Sequence, residues 1–264
     1  MGEPRPGPPQ LRPGRALAHT TGATGSGSPR SDGRSPQTPR GARRSGPFGR
    51  LGTTPPVPGR PTPLFLMCLL GAPVLLFALI TWQVLTDGPL IRADERLSRA
   101  LVRPDRFSEL LSDLGNTQVA VPVLAVALGL VAWRGRAAGA ARWWLPPVAG
   151  AALMALVPAL VVPLKLWTDR PGTPAVPPAT GYYPSGHTAT AVVAYGAATL
   201  LLLPLPRSAA ARRLSVLACA VLVLGTSYGL VRRGYHWPLD VVASWCLFGP
   251  GLGCLRLLVR RRRR

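Results

Sequence analysis

The sequence predicts an all-α protein: a six-transmembrane helix bundle with a disordered basic N-terminal tail. Three observations carry that expectation. Six apolar stretches each approach the ~20 residues that cross a hydrocarbon core. The chain of 264 residues is 47% hydrophobic yet has a formal net charge of +21. Its arginines gather in the first sixty residues, in short loops and in the run Arg260 to Arg264, leaving the apolar stretches almost free of charge. A soluble basic domain would spread its arginines over a folded surface. Nucleic acid is not an expected partner, because no recognition motif or aromatic-basic interleaving accompanies the arginines.

Residues 1–60 are rich in Pro, Gly, Ser, Thr and Arg. They hold too little apolar area to offset chain entropy and read as a disordered cytoplasmic tail, in which His19 is incidental. The tail is not expected to be a signal peptide, since its charged part is too long and no small-residue cleavage site follows the apolar run. Contact with anionic headgroups and simple solvation are both open for it.

The membrane domain is expected over 61–259, followed by a basic cytoplasmic end at 260–264. Its spans fall near 64–84, 117–133, 143–164, 188–205, 214–231 and 237–258. Backbone groups in lipid must pair within their own segment, which makes these spans helices. Pro158 and Pro163 are expected to kink or loosen the third one just before Lys165. Segment 89–116 mixes acids, arginines and leucines at helical spacing, and reads as one or two amphipathic helices along the outer interface. The four cysteines, Cys68, Cys219, Cys246 and Cys254, lie in apolar stretches without metal-ligand spacing and read as small buried hydrophobes.

Arginine placement orients the bundle. Arg134, Arg136 and Arg142 fill one loop, and Arg207, Arg212 and Arg213 another. With both chain ends they fall on one side, which the positive-inside rule makes cytoplasmic. The other side then carries three polar clusters. Lys165, the single lysine of the chain, is followed by Asp169 and Arg170. Pro184-Ser185-Gly186-His187 opens the fourth span. Arg232, Arg233, His236 and Asp240 bracket the turn between the fifth and sixth.

These residue types suit a phosphate. The first N–H groups of a helix lack intrahelical partners, and Gly186 lets backbone approach an anion closely. Ser185 either donates a hydroxyl hydrogen bond or caps the helix. Asp240 can orient His236 and cap the first turn, where Pro238 fits, and both can hold together. A histidine so oriented keeps one nitrogen free to attack phosphorus. Lys165 and Arg170 can neutralise charge on the phosphoryl oxygens. Arg232 and Arg233 either snorkel to lipid phosphates or help hold an anionic substrate.

These residues resemble the type 2 phosphatidic acid phosphatase superfamily, whose motifs are Lys-x6-Arg-Pro, Pro-Ser-Gly-His and Ser-Arg-x5-His-x3-Asp. That superfamily includes undecaprenyl-diphosphate phosphatases and shares its site with vanadium haloperoxidases. The resemblance spans about 60–258. It implies a metal-independent, cofactor-free hydrolase in the cell membrane. By that resemblance His236 is the nucleophile that becomes a phosphohistidine, Asp240 orients it, and His187 protonates the leaving oxygen. Lys165, Ser185 and Gly186 bind the phosphoryl group, with Arg170, Arg232 and Arg233 as further candidates. The implied substrate is a polyprenyl diphosphate first and a phosphatidate-type lipid second. Oligomeric state is not legible.

Two positions depart from the pattern. The first-motif arginine falls at Gly172 and its proline at Thr173, with Arg170-Pro171 two residues early. The third-motif arginine falls at Leu230, and Arg232 could replace it only if the helix unwound before Gly234. These departures keep a second class open, a non-enzymatic membrane protein that retains an anion-binding fold. The intact His187, His236 and Asp240 speak against it.

Overall fold

The computed structural model describes residues 63–261, all within the unit Val57–Arg264. The tail expected over 1–60, His19 and the last three arginines lie outside the described residues. Among the described residues the chain forms eight helices and no strand. They are α1 (Pro63–Leu85), α2 (Pro89–Leu101), α3 (Arg106–Asp113), α4 (Thr117–Ala137), α5 (Leu145–Thr168), α6 (Gly186–Leu202), α7 (Ala209–Arg233) and α8 (Pro238–Arg261).

The six expected spans correspond to α1, α4, α5, α6, α7 and α8. Four of them, α4, α5, α7 and α8, are long and apolar enough to cross a membrane unaided. Leu70–Leu85 of α1 passes the same test jointly with α2, which turns away from it by 89°. The chain is a multi-pass membrane protein. Its outer surface is accordingly apolar, with Leu75, Val126 and Leu166 more than 70% exposed.

Helix α6 is the exception in length and the centre of the packing. Its 17 residues rise about 26 Å, short of a ~30 Å hydrocarbon core. It touches α4, α5, α7 and α8. Its small residues Ala189, Ala191, Ala194, Gly196, Ala197 and Ala198 let those neighbours approach closely, which is how helices associate where lipid removes the hydrophobic drive. Two apolar clusters meet on it, one with Leu124 and Leu201, the other with Val157, Val161 and Phe248.

Local signals set the ends. Ser185 caps α6 by accepting from Thr188 N at 3.3 Å, and Ser208 caps α7 through Ala211 N at 3.1 Å. Gly234 closes α7 in the left-handed region, φ 80°. Helix α7 stays helical to Arg233, so the unwinding that would realign Arg232 does not occur. Helix α5 is continuous over Leu145–Thr168 with Pro158 and Pro163 inside it.

The amphipathic segment forms two helices, α2 and α3, with an inverted pattern. Leu97, Leu101 and Leu110 face outward, whereas Asp94, Ser98, Ser108 and Ser112 are buried against the bundle. Lipid outside makes the polar stripe the inner one. Asp105 and Ser108 form a reciprocal capping box at the start of α3. The cysteines also correct the sequence reading. All four are free thiols, but only Cys246 is buried, Cys219 is partly so, and Cys68 and Cys254 face outward.

Close approach of α3 to α7 requires Gly229. A Cβ there would lie 2.6 Å from Ser112 N and 2.7 Å from Ser108 O, both backbone atoms that cannot swing aside. Gly229→Ala should therefore lower the melting temperature of the solubilised protein, at a cost of about 1–3 kcal/mol. Gly129→Ala, which meets nothing within 4 Å, should not. Equal melting of the two variants would contradict this packing.

Candidate active site

The C-terminal ends of α5 and α7 and the N-terminal ends of α6 and α8 lie at one end of the bundle. Because α6 is short, its capped N-terminus sits recessed among longer neighbours. The site is assembled in that recess.

Asp240, wholly buried on the first turn of α8, organises one half of it. Its Oδ2 lies 3.2 Å from His236 Nδ1 and accepts from Trp237 N at 3.1 Å. Orienting and capping, the two roles open for it in the sequence, are thus both filled. A carboxylate on Nδ1 holds the proton there and leaves Nε2 with a free lone pair. The Tyr182 ring stands edge-on to the imidazole, with centroids 5.8 Å apart.

The other oxygen of Asp240 takes Arg170 Nη1 at 2.5 Å, and Arg170 Nη2 reaches Asp94 Oδ2 at 2.7 Å. Asp94 Oδ1 in turn accepts from Leu239 N at 2.9 Å. The guanidinium also lies over the Trp237 ring, 5.4 Å from its centroid, and the residue is only 5% exposed. Arg170, expected on substrate, is instead enclosed between two carboxylates and lines neither cavity of the site.

His187 heads a second chain. Its Nε2 lies 2.8 Å from Asn116 Oδ1, while Asn116 Nδ2 donates to Asp113 Oδ1 at 2.9 Å. Asp113 fixes which way the amide points, so Asn116 offers His187 an acceptor and favours a proton on Nε2. Asn116 precedes α4 in the cap position but makes no cap with its side chain.

Lys165 Nζ donates to Gly181 O at 2.6 Å and lies 5.9 Å from the centre of the Tyr182 ring. Its remaining N–H donors stand near the start of α6. Among the described residues no acceptor bonds the amides of Gly186 and His187. Ser185 is more committed than expected. It is buried, its Oγ takes the Thr188 amide, its N–H donates to Asp240 O at 3.1 Å, and its carbonyl accepts from Ser244 Oγ at 2.8 Å. It ties α6 to α8 across the site.

Arg232 and Arg233 are directed elsewhere. Arg232 pairs with Asp105 at 2.8 Å and Arg233 with Glu109 at 3.5 Å, fastening α3 to α7. The Ser108 amide and Arg232 hold the Asp105 carboxyl below its ordinary range. The two positions that depart from the motif pattern are filled by packing. Leu230, 1% exposed, lines the chamber beside His236. A Cβ on Gly172 would meet the Tyr182 ring at 2.7 Å, so a longer side chain there would displace that ring.

Two cavities meet at His187. One, of about 250 Å³, is a chamber that also holds His236, Asp113, Asn116, Tyr182 and Tyr235. The other, of about 640 Å³, is an apolar groove between α4 and α5 that ends at Lys165, Gly186 and His187. Asp94, Asp113, Asn116 and Tyr182 are site residues that sequence reasoning missed. For Asn116 a signal existed, an amide at the cap of a span on the polar side.

Comparison with known proteins agrees with this architecture. Residues 151–263, which hold every candidate site residue named from the motifs, match the PAP2 superfamily. The fold is similar to the crystal structure of the first transmembrane PAP2 type phosphatidylglycerolphosphate phosphatase from Bacillus subtilis. That likeness has a TM-score of 0.62 and 20% identity, covering 74% of this chain and 98% of that one. Among curated proteins none matches. Residues 151–263, the stretch that bears the site, are thus similar to the PAP2 superfamily, and the chain has a fold similar to that PAP2-type membrane phosphatase.

The buried chain Asp94–Arg170–Asp240 gives a direct test. Arg170→Met would strand two buried carboxylates, and removing one partner of such a network costs about 3–5 kcal/mol. Thermal melting should show that loss for Arg170→Met and a smaller one for Asp94→Asn. Wild-type melting of both would contradict the network.

Proposed function

We propose that the protein hydrolyses a lipid phosphate or diphosphate through a phosphohistidine at the extracytoplasmic face of the cell membrane. One observation carries this reading. Two imidazoles with opposite hydrogen-bonding partners open on a single chamber, at the mouth of an apolar groove. His236, backed by a carboxylate, is set up as a nucleophile. His187, backed by an amide acceptor, is set up to carry a proton.

In the first step His236 Nε2 attacks phosphorus, the bond to the leaving oxygen breaks, and His187 delivers a proton to that oxygen. In the second step water attacks the phosphohistidine, His187 takes the proton of the water, and the P–N bond breaks to release phosphate. Lys165 and the amides of Gly186 and His187 stabilise the charge on the equatorial oxygens. Arg170 acts through Asp240 as a positioning residue.

The groove supports a long apolar chain as the other part of the substrate. Along α5 it runs from Ala151 to Lys165, a rise of about 21 Å within a ~30 Å hydrocarbon core. Polyprenyl and acyl chains both suit such a lining. Charge supports this sidedness: Arg134, Arg136 and Arg207 lie at the opposite end of the bundle from the site, which the positive-inside rule makes cytoplasmic.

A second reading, a non-enzymatic binder of anionic lipid, is favoured by Leu230 and Gly172, which bring no cation to the chamber. Phosphate release from a panel of lipid phosphates separates the two. Purified protein should release phosphate, His236→Ala should not, and His187→Ala should be slowed about 10²–10⁴-fold. Equal release by wild type and His236→Ala would overturn the mechanism, and no release from any lipid would favour the binder. In the same assay Arg232→Ala should behave like Arg207→Ala, because its guanidinium serves α3. A selective collapse of turnover in Arg232→Ala would return that residue to the substrate.

A further inference from the structure

We propose that the site selects a phosphate monoester on an apolar chain and discriminates against the diphosphate of the same chain. This inference rests on the hydrolase reading and narrows its substrate. It comes from the charges that surround the phosphoryl position.

Histidines aside, Lys165 is the one cation lining either cavity among the described residues. It already spends one N–H on Gly181 O. The nearest arginines are committed to carboxylates: Arg170 to Asp94 and Asp240, Arg232 to Asp105, and Arg233 to Glu109. The buried chain Asp94–Arg170–Asp240 sets two carboxyl groups against one guanidinium and leaves no cation over for a phosphate. The chamber adds the carboxylate of Asp113. Its remaining walls near His236 include Val176, Leu230 and the rings of Tyr182 and Tyr235.

A phosphate monoester carries about 1.5 to 2 negative charges at neutral pH. Lys165 and the unbonded amides at the start of α6 face that charge. A diphosphate needs a second anion site, and each of its two placements lacks one. If His236 attacks the terminal phosphorus, the inner phosphate lies at the mouth of the groove. It must then share Lys165 with the terminal group, beside Val161 and Val162. If the inner phosphorus is attacked, the terminal phosphate lies in the chamber against Asp113 and Leu230. Neither placement gives the second phosphate a cation of its own, and Asp113 is the repulsive element that makes the discrimination active.

The test compares initial rates of phosphate release from farnesyl phosphate and farnesyl diphosphate by the full chain in neutral detergent. The monophosphate should be favoured in kcat/KM by about tenfold or more. Asp113→Asn removes the carboxylate at constant shape and should raise the diphosphate-to-monophosphate ratio severalfold. Leu230→Arg adds a cation beside His236 and should raise it further; if that buried arginine prevents folding, Asp113→Asn carries the test. A wild type that hydrolyses the diphosphate as well as the monophosphate would overturn the inference while leaving the hydrolase reading intact. So would a ratio unmoved by Asp113→Asn. Release from neither substrate would overturn the hydrolase reading, and this inference with it.

Discussion

The site depends on one buried row of charges. Asp94, Arg170 and Asp240 come from an interfacial helix, a loop and the last span, and each is at most 5% exposed. Ions so far from water persist only when every polar atom finds a partner, and here both carboxylates and both guanidinium ends do. The row fixes the start of α8 against the loop after α5. It also orients His236, since Arg170 and the Trp237 amide together hold the Asp240 carboxylate that faces the imidazole. Position of the His236 imidazole and integrity of the fold are therefore linked in this molecule.

A second constraint is the brevity of α6. A central helix shorter than its neighbours leaves a recess at one end, and a capped helix N-terminus at its floor is a ready anion site. Ser185 makes the floor rigid by bonding to both α6 and α8. The arrangement brings polar chemistry below the surface of the bundle without exposing an unpaired backbone to lipid. The groove between α4 and α5 then reaches the same recess from the side, which is the direction from which a membrane-borne chain would arrive.

The fold was largely legible because lipid imposes a simple code. Runs of about twenty apolar residues became helices in the places expected, and the polar residues of 165–240 gathered at one end because the loops alternate sides. Partners were harder to read. Arg232 and Arg233 looked like substitutes for a missing phosphate ligand, yet Asp105 and Glu109, far earlier in the chain, claim them; sequence distance gives no register between α3 and α7. Arg170 looked like a free cation because Asp94 sits in an amphipathic segment where an acid normally faces water. Lipid outside reversed that segment and turned its polar stripe inward. Tyr182 carried no signal, since its role arises from a loop folding back over Gly172.

The chemical account reduces to convergence. Lys165, His187 and His236 must contact one tetrahedral or trigonal-bipyramidal oxyanion at the start of α6. The most direct measurement is a structure of the protein with vanadate. The account expects vanadium bonded to His236 Nε2, with Lys165 Nζ and the amides of Gly186 and His187 on its oxygens and Arg170 still between Asp94 and Asp240. Vanadate held by Arg232 and Arg233, or bound with His236 and Lys165 on separate ions, would contradict it.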